Sequence, residues 1–160
     1  DTLITVQIDF ALPEKFDLNY LDKDNKFKRP IVVHRSSVGC LERTMAYILE
    51  KTQGNLPLWL SPVQIKVLPM TDRNVNYGKQ IVDKLKKENI RVEIDDGTES
   101  MSKKVRDAQL EKVFYSITVG DKEQEAGTIA IRTREGKVEF GIKLDNFISK
   151  LKREIAERKS

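Results

Sequence analysis

A chain of 160 residues that is 39% hydrophobic and 34% charged is globular rather than disordered in composition, long enough for one domain or a small domain with a further piece. No apolar run approaches the roughly 18 residues of a membrane span, no secretory signal opens the chain, and the single cysteine, Cys40, excludes an internal disulfide and suits a reducing compartment. The net charge of +4 is unevenly placed, with eight basic and eight acidic residues in 1–60 against 21 and 17 in 61–160; this is a modest bias toward a polyanionic partner that a solvated, lysine-rich surface also explains.

Asp1-Thr2-Leu3-Ile4 reads as a strand already under way, so the start is expected to be a cut. Ile4 to Phe10 alternates apolar and polar residues, as a half-buried strand does. A polar turn follows at Asp22-Lys23-Asp24-Asn25, and Pro30 to His34 is a second, β-branched strand that Ser36-Ser37-Val38-Gly39 ends. Leu41, Met45, Ile48 and Leu49 fall at helical spacing and predict a helix to about Gln53. Two prolines and a glycine between Gly54 and Pro62 break the chain. This predicts two domains, 1–60 and 61–160.

Beyond the break, strands and helices alternate. Val63 to Met70 is a strand. Thr71 or Asp72 is placed to cap a helix with Val75, Ile81, Val82 and Leu85 inside. Ile90 to Ile94 is a strand, and Thr98 or Ser100 caps a shorter helix with Met101, Val105 and Ala108 inside. Val113 to Val119, Thr128 to Arg132 and Val138 to Ile142 are strands. A last helix carries Leu144, Phe147, Ile148, Leu151 and Ile155 on one face. Helices between strands imply right-handed crossovers, and the consecutive strands imply an antiparallel far edge. The expected class is α/β, a five-stranded mixed sheet flanked by about three helices and preceded by a strand-strand-helix piece.

Several chemistries are excluded. GxGxxG, GxxxxGK[ST], CxxC and HExxH are all absent from the sequence. One histidine and one cysteine cannot build a zinc site, because a catalytic zinc takes about three protein ligands. Cys40 and His34 stand six residues apart without a third orienting group, which argues against a nucleophilic pair. A small-molecule α/β domain rests on fold alone.

Arg29-Pro30-Ile31-Val32-Val33-His34-Arg35-Ser36-Ser37-Val38-Gly39-Cys40-Leu41-Glu42-Arg43 resembles the third signature motif of class II aminoacyl-tRNA synthetases in its threonyl version. Leu56-Pro57-Leu58-Trp59-Leu60-Ser61-Pro62-Val63-Gln64 is similar to that family's junction between catalytic and anticodon-binding domains. Gly120-Asp121-Lys122-Glu123 and Ile131-Arg132-Thr133-Arg134 resemble its anticodon-binding strands. Thr5-Val6-Gln7-Ile8-Asp9-Phe10 with Leu12-Pro13 also fits, so the resemblance covers essentially the whole chain. It implies the end of a class II catalytic domain followed by a class IIa anticodon-binding domain.

The resemblance also implies roles. Arg43 would contact the ATP γ-phosphate, where a guanidinium suits developing polyphosphate charge. His34 would be one of three ligands to a zinc that holds substrate threonine, the other two lying upstream in the family. Thr5 and Gln7 would line the aminoacylation site. Cys40 would be a small turn residue. Glu123 and Arg132 would read anticodon bases, whose edges an unstacked loop presents. Asp95-Asp96-Gly97-Thr98-Glu99 departs from the family's Arg-Asn-Glu, placing Thr98 where an asparagine contacts a base and Gly97 in place of the arginine. Lys103, Lys104 and Arg106 would contact the anticodon-stem backbone. The resemblance further implies that the whole protein would be a cytoplasmic homodimer joining threonine to threonine tRNA using ATP and zinc. This chain alone is expected to bind neither ATP nor zinc and to be inactive. The alternative is a non-catalytic, synthetase-like RNA-binding module.

Overall fold

The structure, a computed structural model, describes residues 5–36 and 39–158. The reading of Asp1 to Ile4 as a strand start, and of Ser37-Val38 as part of a turn, lies outside the described residues. Two compact units result, Asp1–Lys51 and Thr52–Ser160.

In the first unit, β1 (Thr5–Asp9) leads into a short helix, α1 (Ala11–Lys15), that the sequence reading did not anticipate. Its local cause is Asp9, whose Oδ1 accepts from the backbone N–H of Ala11 and of Leu12, both at 2.9 Å. The expected polar turn joins β2 (Tyr20–Leu21) to β3 (Phe27–Lys28), with Asn25 at φ +58°. Lys28 pairs with Asp22, and that ammonium, followed by the Lys23 N–H, holds the Asp22 carboxyl below its ordinary value. β4 (Val32–Ser36) runs antiparallel to β1, pairing Thr5 with Ser36 and Gln7 with His34. α2 (Leu41–Thr52) follows the predicted stripe, yet it buries no residue, and Leu41, Met45, Val6, Ile8 and Val33 all stay exposed. A two-stranded sheet of this size is marginal by itself.

The second unit begins before the proline break. The segment 52–60, assigned to the first domain by the sequence reading, packs here instead, and the reason is non-local. Leu58 is a core residue, Gln64 donates to Leu58 O at 2.9 Å, and Arg91 donates to Trp59 O and Ser61 O, both at 2.9 Å. Lys112 grips Gln53 O, and Arg134 donates to Leu56 O at 2.9 Å.

The sheet is built from β5 (Ile65–Pro69), β6 (Val92–Ile94), β7 (Tyr115–Val119), β8 (Ile129–Thr133) and β9 (Val138–Ile142), in the order β6-β5-β7-β8-β9. β5 is parallel to β6 and β7, while β8 and β9 are antiparallel additions, the expected mixed sheet. The register defines two faces. Val67, Ile117 and Ile131 share one with Ile65, Tyr115 and Ile129. It is covered by α3 (Val75–Lys87) and α6 (Leu144–Ala156), through Ile81, Leu85, Phe147 and Leu151. Gly78 lets α3 approach closely, since a Cβ there would stand 3.1 Å from both Pro69 and Ile94. The other face carries Lys66, Ser116, Arg132 and Val138 in one row and Leu68, Thr118 and Ala130 in the next. α4 (Met101–Leu110) packs against β5 on this face, where Lys66 pairs with Glu111. Beside α4, part of the β8–β9 surface stays open.

Two local expectations change. Ser100 caps α4 by accepting from Lys103 N–H, whereas neither Thr71 nor Asp72 caps α3 through its side chain. Thr71 instead precedes a 3₁₀ turn, Asp72–Asn74, and its hydroxyl donates to Asn74 Oδ1 at 2.7 Å. Residues after Gly120, expected as a strand, form α5 (Asp121–Ala126). Acidic residues in its first turn favour the helix dipole, Glu123 Oε2 accepts from Gly120 N–H at 3.0 Å, and Gly127 ends the helix at φ +63°. No helix among the described residues is long and apolar enough to cross a membrane.

Candidate nucleic-acid interface

The open part of the second face is a cleft of about 200 Å³ whose lining includes Met70, Met101, Thr118, Glu123, Arg132 and Phe140. Two residues singled out from sequence, Glu123 and Arg132, thus meet in one place although they come from different elements. α5 supplies the carboxylate, and the end of β8 supplies the guanidinium. One oxygen of Glu123 is tied to Gly120 N–H, which leaves the other as an acceptor. Arg132 is half-buried, with Nη1 3.4 Å from Gly136 O, and no carboxylate among the described residues pairs with it. Arg134, in the same string, is used differently. It stacks on Phe114 with 4.9 Å to the ring centre and donates to Leu56 O and Lys112 O, while burial pushes its pKa down.

The position of α5 is set by Asn74, which is 1% exposed. Its amide donates to Asp121 Oδ1 at 2.9 Å and to Gln124 Oε1 at 3.1 Å, tying the turn after β5 to the helix that carries Glu123. Gly120 allows the same approach, because a Cβ there would lie 2.7 Å from Met70 Sδ. Tyr77 donates to Thr128 O at 3.0 Å; burial, then the charge of Glu123, raises its phenol pKa.

Met70 also lines a second hollow of about 230 Å³ with Thr71, Asp72, Gly97, Thr98, Glu99 and Lys104. Thr98 thus lines this hollow and not the cleft of Glu123 and Arg132, with Met70 common to both. Lys103 and Arg106 are exposed on α4; Lys103 pairs with Glu99 at 2.6 Å, and that carboxylate raises its ammonium pKa. Lys104 corrects the sequence reading. It is 4% exposed and donates to Pro69 O at 3.2 Å and to Asp95 O at 3.0 Å. An ammonium engaged this way bridges the ends of β5 and β6 and is not presented to a phosphate backbone. The helical spacing already held the signal, since residues 101, 104, 105 and 108 form one stripe.

In the first unit, cross-strand pairing puts Thr5, Gln7, His34 and Ser36 on one sheet face. His34 Nε2 lies 3.7 Å from Asp9 Oδ2. Arg43 sits in the first turn of α2, exposed, and Cys40 is exposed just before it. Among the described residues no three His, Cys, Asp or Glu side chains gather to hold a metal, so a three-ligand zinc site does not fit the residues present.

The fold matches a known class. The family described as "Anticodon binding domain" matches residues 64–154, and "tRNA synthetase class II core domain (G, H, P, S and T)" matches residues 2–52. The chain belongs to the anticodon-binding domain family, carrying a class II core segment ahead of it. Among individual proteins, it is 47% identical over 158 residues to a threonine–tRNA ligase of Clostridium botulinum, covering 99% of this chain and 25% of that protein. It is 45% identical over 157 residues to a threonine–tRNA ligase catalytic subunit of Sulfolobus acidocaldarius, covering 98% and 28%. The crystal structure of the RNA-binding domain of threonyl-tRNA synthetase from Cryptosporidium parvum superposes with a TM-score of 0.77 at 33% identity, covering 94% of this chain and 38% of that one. The chain thus spans about a quarter of the length of the curated relatives it matches.

Proposed function

We propose that the second unit reads the anticodon loop of a threonine tRNA, as part of a cytoplasmic, homodimeric ligase whose whole chain joins threonine to that tRNA using ATP. The observation that carries this reading is the meeting of Glu123 and Arg132 in one cleft of an anticodon-binding domain. A carboxylate accepts from base amino or imino groups, and a guanidinium donates to a base edge or stacks on a base face. Thr98 adds one hydroxyl in the neighbouring hollow, and Lys103 and Arg106 reach the stem phosphates.

Titration of the chain with a threonine-tRNA anticodon stem-loop, beside one with its central and third anticodon bases changed, tests the reading at two salt concentrations. The native loop is expected to bind more tightly at both. Equal binding of the two loops that collapses with salt would mean phosphate contact alone and would favour a non-catalytic RNA-binding module.

The first unit supports the wider reading less directly. Arg43 would meet the ATP γ-phosphate, while Thr5 and Gln7 would face the site of threonine transfer on the sheet face they share with His34. His34 supplies one zinc ligand at most, so no step is assigned to zinc in this chain. The 160-residue chain alone is expected to leave ATP and zinc unbound and to be inactive; threonine-dependent ATP–pyrophosphate exchange by the purified chain would overturn that.

A further inference from the structure

Among the described residues, Phe140 is one of the most exposed aromatic side chains. It is 72% exposed on β9, the outer strand of the sheet, and an apolar aromatic left open on an edge strand invites unwanted pairing. Its direction follows from the backbone. Ile131 pairs with Glu139 but Ile129 pairs with Ile142, so Phe140 and Gly141 together face the single residue Ala130 in a β-bulge. Gly141 takes φ +68°, a conformation that glycine accepts without strain. The extra residue lets Ile142 return to the core while Phe140 stays on the side of Val138 and Arg132. Phe140 therefore stands at the cleft that holds Glu123 and Arg132.

We propose that Phe140 is a stacking platform for one unpaired base of the bound RNA loop. The inference rests on the anticodon reading of the cleft and adds a contact to it. The cleft of about 200 Å³ is smaller than the roughly 300–1,000 Å³ of pockets for drug-sized ligands, which suits a single inserted base. Glu123 and Arg132 present groups for the edge of that base, and the phenyl ring offers an apolar face for its π-surface. Stacking of this kind tolerates sequence, because every base has such a face.

The same stem-loop titration, run on wild type, Phe140→Ala and Phe140→Trp, tests it. Phe140→Ala is expected to weaken both the native and the altered loop by roughly ten- to a hundredfold, without changing the salt slope. Phe140→Trp should bind within a few-fold of wild type and show loop-dependent fluorescence quenching that the wild-type chain, with Trp59 alone, lacks. Wild-type affinity in Phe140→Ala together with an unquenched Phe140→Trp would overturn the stacking role. Unchanged RNA affinity in Phe140→Ala with a lowered tendency to self-associate would overturn it too, and would assign the ring to a second copy of this chain. Failure of the wild-type chain to prefer the native loop would instead count against the anticodon reading, which keeps the two failures distinct.

Discussion

Arg132→Ala is expected to weaken binding of the native anticodon loop by about 1–3 kcal/mol and to erase most of the preference over the altered loop. Arg132 lines the cleft, lacks a carboxylate partner among the described residues, and keeps one long contact to Gly136 O at 3.4 Å. Its removal therefore breaks little inside the protein, and the loss should fall on the ligand. Base reading and phosphate contact predict different salt behaviour. A base contact leaves the slope of log K against log salt unchanged, whereas each lost phosphate contact lowers it. Arg132→Lys separates fork from charge: lysine keeps the charge but not the planar, two-pronged donor. Retained preference in Arg132→Ala, or full preference in Arg132→Lys, would remove the guanidinium from base recognition.

Phe147→Ala is expected to destabilise the second unit by about 3–5 kcal/mol, the usual cost of deleting a buried phenyl ring. Phe147 is 1% exposed and meets Tyr115 edge to face at 5.3 Å, within the core that Leu144 and Leu151 share. Burial, followed by Glu154, raises the Tyr115 phenol pKa, and its hydroxyl donates to Glu154 Oε2 at 3.1 Å, so the ring is held on both sides. Against a typical domain stability of about 5–15 kcal/mol, this loss takes up a large share. Urea denaturation should show a lower midpoint with an unchanged slope. Phe140→Ala, on the same scale, should leave the midpoint where it was. Equal midpoint shifts in the two variants would contradict the burial difference between the two rings.

Much of the fold was legible because its signals are local. The apolar strand at β5, the stripe of Ile81, Val82 and Leu85 on α3, and that of Phe147 and Leu151 on α6 all report periodic burial. The run of strands from β7 to β9 announced the antiparallel edge. α1 and α5 escaped notice because single side-chain contacts make them, from Asp9 and from Glu123, and these leave no periodic trace in five or six residues. The segment 52–60 was assigned to the wrong unit because its partners, Arg91, Lys112 and Arg134, are remote in sequence.

The site divides in the same way. Glu123 and Arg132 stand in short strings that resemble the family's anticodon-binding segments, and the structure brings both to one cleft. Lys104 was misread because its type suggests phosphate, although its helical position already placed it inward; only the converging carbonyls of Pro69 and Asp95 explain how a buried ammonium is satisfied there. Phe140 and Asn74 were not singled out. A bulge in register leaves one exposed, and a bridge from the turn after β5 to α5 buries the other. Sequence by itself determined the α/β class, the order of the main elements and the residue types available for recognition, because these depend on neighbours along the chain. Tertiary structure alone decided which of those side chains face the open cleft and which are consumed inside, because that depends on groups brought together by packing across long stretches of sequence.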